Sequence, residues 1–180
     1  MADRHARRVG DADRTGDQRD RGAKVREVAL PSSFDDILAA QRRIMVFEAA
    51  RNFAYERTRH ADRLSPELHD VVAEGLACPF ADYVAALEQG ERLRDHLDGL
   101  LGGAFDVLLT PSALGEAPAG LGKTGDPQCN SIWTLAGTPC ITLPAGTGRN
   151  GLPLGVQLVG ARFADERLID VAHWVQAQLD

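Results

Sequence analysis

Gly120-Leu121-Gly122-Lys123-Thr124-Gly125 carries the letters of GxGxxG, and Gly122-Lys123-Thr124 those that close a phosphate-binding loop. Backbone amides in such loops cradle phosphate, but a dinucleotide fingerprint also needs a strand directly before it and an acid about 20 residues further on. Ala145 stands at that later position, and Ala117 stands where a phosphate loop would need its leading glycine. An exposed glycine loop is the plainer reading, with nucleotide binding kept as the weaker one.

Acyl transfer needs a nucleophile, an activating base and an oxyanion site. The serines are Ser32, Ser33, Ser65, Ser112 and Ser131, and none lies in a GxSxG elbow or an SxxK motif. Ser32, Ser33 and Ser65 precede helical patterns as caps or neighbours of caps, which leaves Ser112 and Ser131 on functional-looking loops. Cys129 or Cys140 with His173 would make a thiol nucleophile, although packing of a small hydrophobe is the commoner use of such a thiol. Asp35/Asp36 and Asp165/Glu166 open helical segments, where dipole compensation accounts for them without a glycosidase-type acid and base. The stretch Asp126-Pro127-Gln128-Cys129-Asn130-Ser131-Ile132-Trp133 sets polar groups and an indole between two apolar runs. Trp133 there either lines a pocket or fills the core.

Neither a metal nor another cofactor is implied. Cys78, Cys129 and Cys140 form no CxxC pair, and His5, His60, His69, His96 and His173 include no two at a helical ligand spacing. The 180 residues carry 26 acidic and 20 basic side chains, a net charge of -6, so no overall positive field exists to hold nucleic acid. No apolar run approaches the ~20 residues of a bilayer crossing, and the start lacks a signal-peptide core. A cytoplasmic protein with reduced thiols is expected.

The elements that must position these residues follow from periodicity. Met1–Arg21, rich in Arg and Asp, reads as a disordered tail, because it has too little apolar surface to offset ordering entropy. Lys24-Val25-Arg26-Glu27-Val28 alternates like a strand, and Ser33 with Asp36 resembles a capping box before a long amphipathic helix running toward Arg63. Ser65-Pro66 starts a second helix, and Phe80 to Leu101 forms a third that bends at Gly90. Phe105 to Leu109, Pro139 to Leu143 and Leu154 to Val159 read as buried strands, the last two paired antiparallel across Asn150-Gly151. Asp165 caps a closing helix.

The last third also resembles a known family. Asp106-Val107-Leu108-Leu109-Thr110-Pro111, Ala117-Pro118 and Thr124-Gly125-Asp126 come first; the stretches Asn130 to Gly146 and Gly151 to Gly160 follow. Together they are similar to the C-terminal part of the amidase signature family. Gly22 to Leu30-Pro31 and the helical Glu48-Ala49-Ala50 occur in the family's order, so the resemblance runs from Gly22 to the C-terminus.

The resemblance implies an α/β fold: a C-terminal fragment of the amidase signature fold, a mixed β-sheet flanked by helices over residues 22–180. It also implies amide hydrolysis by a serine nucleophile, with a second serine on a cis peptide relaying protons to a lysine and a Gly/Ser-rich loop supplying the oxyanion site. The family places that machinery upstream of the segment at Val25. Lys24 and Lys123, the two lysines of the sequence, match neither of its positions, so no catalytic residue is carried over. The family uses loops of this region for substrate recognition, which makes Asn130 and Trp133 the substrate-binding candidates.

The expected function is therefore part of an amide C–N hydrolase, inactive alone, that meets a small amide substrate when a missing N-terminal half complements it. A stand-alone, non-catalytic binding or interaction domain is the alternative. Met1–Arg21 would then arise from a shifted reading frame or a misplaced start. Unpaired strand edges and an apolar face would favour self-association.

Overall fold

Proline and serine set the first boundaries. The computed structural model describes residues 22–179, so the expected disordered tail, Met1–Arg21, lies outside the described residues. Pro31 ends the extended entry, a 3-10 turn covers Ser32–Phe34, and helix α1 occupies Ile37–Asn52. Asp36 stands at its N-cap without a side-chain capping bond, so the Ser33 capping box does not form. The expected long helix is interrupted at Phe53, and α2 continues as Ala54–Arg59.

Ser65 behaves as its type predicts. Its Oγ accepts from the Leu68 N–H at 3.3 Å, with Pro66 in the first turn of α3, Pro66–Ala77. Helix α4, Phe80–Gly99, runs unbroken through Gly90, where Leu135 packs against it. A π-helical turn, Leu100–Ala104, finishes it.

Strands β1 (Leu108–Pro111), β2 (Cys140–Thr147) and β3 (Pro153–Val159) form one sheet in the order β1-β3-β2. The expected antiparallel pairing of the last two is present, in register Ile141↔Leu158 and Leu143↔Val156, with an irregularity between Pro144 and Gly146. β1 pairs with the other side of β3, Leu108 opposite Val159. The α/β class holds, and every strand pairing among the described residues is antiparallel.

Lys24–Val28 is not a strand. A strand is held by a neighbour's backbone, whereas this segment lies against the end of α4. Arg26 donates from Nη2 to the Ala104 carbonyl at 3.0 Å and sits 4.7 Å from the Phe105 ring centre.

Period-two alternation in β3 divides the core in two. Val159 joins Phe34, Ile37, Leu93, Leu97 and Trp133 on the helical side. Leu158 points to the other face, where Leu143, Leu168 and Ala172 bury against α6, Asp165–Leu179. The sheet is thus a middle layer between the helical core and α6.

Candidate functional site

Helix α5, Gln128–Ala136, comes from the polar stretch the sequence placed between two strands. Its start is held by Asp126, whose Oδ1 accepts from the Gln128 N–H at 2.9 Å and Oδ2 from Gln128 Nε2 at 3.0 Å. Its end is set by Gly137, at φ 69°, a left-handed conformation that costs glycine no Cβ clash. The N–H groups of Gly137 and Thr138 then both reach back to the Trp133 carbonyl. Asp126-Pro127 before and Gly137 after were the available signals for this helix.

Asn130 and Trp133 lie one turn apart on α5. Asn130 is exposed, and its Nδ2 donates to the Ser112 carbonyl at 3.2 Å. Trp133 is 8% exposed and belongs to the helical core, and its Nε1 has no hydrogen-bond partner among the described residues. The two candidates therefore share a helix face but occupy different depths, one at the surface and one beneath it.

Three residues tie α5 and the connection before it to the sheet, and of these the sequence had singled out Ser112 alone. Gln157 on β3, 2% exposed, directs Nε2 toward Thr110 Oγ1 and the Cys129 carbonyl, each 3.4 Å away. Ser112, just past β1, donates from Oγ to the Gly155 carbonyl at 3.0 Å. Glu116 reaches from the β1–α5 connection to the turn between β2 and β3. A polar residue in an otherwise apolar strand was the one sequence signal, for Gln157.

The thiols are not activated. Burial pushes the Cys129 thiol up, and the Asp126 charge adds to this. Burial also raises Cys140, opposed by a hydrogen bond with the Thr138 side chain. No imidazole pairs with either thiol among the described residues. The Cys–His nucleophile considered from the sequence thus has no geometry behind it.

The glycine loop is exposed and separated from β1 by the stretch beginning at Ser112. Together with Pro118, Asp126 and Pro127 it lines an open cavity of about 670 Å³. Asp126 places a carboxylate where a phosphate would need a free helix N-terminus, which argues against the nucleotide reading. Among the described residues no group of three His, Cys, Asp or Glu side chains is placed to hold a metal ion. No described helix is long and apolar enough to cross a membrane.

Comparison with known proteins agrees over nearly the whole chain. A family model described as Amidase matches residues 18–169. One subunit of the glutamyl-tRNA(Gln) amidotransferase from Jannaschia sp. (strain CCS1) is 31% identical over 201 residues, covering 92% of this chain and 40% of that protein. A crystal structure of an amidase superposes with a TM-score of 0.80 at 30% identity, over 92% of this chain and 40% of its own. A 6-aminohexanoate cyclic dimer hydrolase complexed with substrate gives a TM-score of 0.72 at 19% identity, over 91% of this chain and 39% of its own, a likeness of fold. The chain spans about 40% of the length of the relatives it matches.

Proposed function

Since this chain belongs to the amidase family, we propose that it forms the sheet and one wall of the substrate cleft of an amide C–N hydrolase. In this reading the nucleophile and its proton relay are carried by the part of the family's length that this chain does not span, and the chain is inactive alone. Its partner is a polypeptide carrying that part, and the substrate is a small amide. No cofactor takes part.

The observation that carries the proposal is the position of α5. Its first turn ends at the surface beside β1, next to the open cavity at Pro118 and Asp126. Asn130 commits Nδ2 to the Ser112 carbonyl, which leaves Oδ1 to accept from a substrate amide N–H. Trp133 supports that turn from beneath, where its indole fills the core. The relatives include both an amidase and a component of a glutamyl-tRNA(Gln) amidotransferase, and a cleft wall suited to an amide group serves either.

The test is complementation. The chain is mixed with a separately produced polypeptide covering the remaining part of the solved amidase relative, and ammonia release from a panel of small primary amides is followed. We expect activity from the mixture and none from either component. Hydrolysis by this chain alone, or an inert mixture whose components demonstrably associate, overturns the proposal.

A further inference from the structure

One carboxylate ties the β1–α5 connection to the β2–β3 turn. Glu116 Oε1 accepts from the Asn150 N–H at 2.9 Å and the Leu152 N–H at 3.0 Å, while Oε2 accepts from Asn150 Nδ2 at 2.6 Å. Asn150 and Leu152 flank Gly151, so the side chain closes a turn distant in sequence. The approach is close, because a Cβ built on Gly148 would lie 2.3 Å from Glu116 Cδ.

Desolvation pushes the Glu116 carboxyl up, but the hydrogen bonds from Leu152 and Asn150 outweigh it and hold the group below the ordinary carboxylate range. The charged residues nearby in sequence are Arg149 on the turn and Lys123 and Asp126 in the connection. None of them pairs with Glu116 among the described residues. Within residues 113–125, Glu116 is also the one residue, among those described, whose side chain hydrogen-bonds outside the connection. Most of the rest is exposed.

We propose that Glu116 is a latch. It holds residues 113–125 as a strap against the β2–β3 turn, and its removal frees the strap while the sheet and helices remain folded. A segment with few buried contacts and one multidentate tether opens locally when that tether is lost. The same strap lines the open cavity and leads toward the turn bearing Asn130, so the latch would set the shape of that wall.

The sequence provides a clean readout, because its two lysines are Lys24 and Lys123, and Lys123 lies in the strap. A lysine-specific endoproteinase applied to the full chain thus reports the strap at one site and an independent segment at the other. We expect Glu116→Ala to be cut at Lys123 about fivefold faster or more, with the Lys24 rate unchanged. Glu116→Gln, which keeps one acceptor oxygen, provides the same comparison where the alanine variant does not fold. An unchanged Lys123 rate overturns the latch. Equal acceleration at both lysines also overturns it, since that reports loosening of the whole fold.

Discussion

Arg94 on α4 donates from both Nε and Nη2 to the carbonyl oxygen of Leu135, at 3.2 and 2.9 Å. Leu135 lies in the last turn of α5, where carbonyls have no partner within the helix. A guanidinium there satisfies one of them and opposes the negative end of the helix dipole. Glu91, one turn earlier on α4, pairs with the same guanidinium. We predict that Arg94→Met lowers stability by about 2 kcal/mol, the scale of a hydrogen bond to a charged group, with Arg94→Lys falling between. Chemical denaturation measures it, and an Arg94→Lys variant as stable as the native chain would show that the fork geometry contributes nothing.

Gly75 sets how closely α3 approaches α1. A Cβ at this position would lie 1.8 Å from the Val46 carbonyl oxygen and 2.8 Å from Ala50 Cβ. Alanine gains about 1 kcal/mol of helix propensity over glycine, yet the clash is with backbone and cannot be relieved by a rotamer change. Gly75→Ala should therefore be destabilising by about 2 kcal/mol net. Gly99→Ala, with nothing within 4 Å of its Cβ, should show no such loss in the same thermal melts.

Phe163 is held at φ 61° and is 94% exposed. A left-handed backbone costs a non-glycine residue about 1–2 kcal/mol, and asparagine bears it better than phenylalanine. Phe163→Asn loses little packing and should raise the melting temperature by a few degrees. A lower melting temperature instead would mean that the ring stabilises the loop despite its exposure.

Asp98 at the end of α4 pairs with Arg162 before α6, with 3.1 Å between Asp98 Oδ1 and Arg162 Nε. The hydrogen bond from Arg162 is the main cause that holds the Asp98 carboxyl below its usual range; desolvation opposes it and the Arg162 charge supports it. A lowered folded-state value means that the stabilisation is complete above the ordinary aspartate value of about 4 and is lost as pH falls through the lowered one. Melting temperature against pH should accordingly fall more steeply on the acid side for the native chain than for Asp98→Asn. Superimposable acid limbs would remove the pair from the stability account.

Leu109 on β1 is 46% exposed, and Phe80 on α4 is 67% exposed. β1 and β2 are the two edges of the sheet, and exposed edges with large apolar side chains favour association. Sedimentation velocity of the isolated chain should show species larger than a monomer that grow with concentration. A single monomeric boundary at all concentrations would contradict this expectation.

Local chemistry made much of this fold legible. Ser65-Pro66 started α3, because capping and proline geometry act within one turn, and Asp165 stands as the first residue of α6 rather than as its cap. The short apolar run Leu154 to Val159 marked a strand and the turn dipeptide Asn150-Gly151 marked its partner, and the family's motifs, in order, pointed to the amidase fold. Asn130 and Trp133 were found in the segment that borders the open cavity, but their helix was not, since its polar first turn hid the periodicity.

Tertiary structure decided what short-range signals cannot carry. Lys24–Val28 alternates like a strand but meets the end of α4 instead of a neighbouring strand, and a strand exists only with a partner. Gly90 interrupts a hydrophobic stripe yet α4 continues through it, and Leu135 from α5 packs against that glycine. Trp133 went to the core and Asn130 to the surface because one face of α5 meets the helical layer and its first turn meets the end of β1. Glu116 gains its role only once the β2–β3 turn is folded beside it. The sequence by itself determined the family and the elements whose start and stop signals are local; the pairing of segments, and which residues meet across them, depended on packing between parts of the chain far apart in sequence.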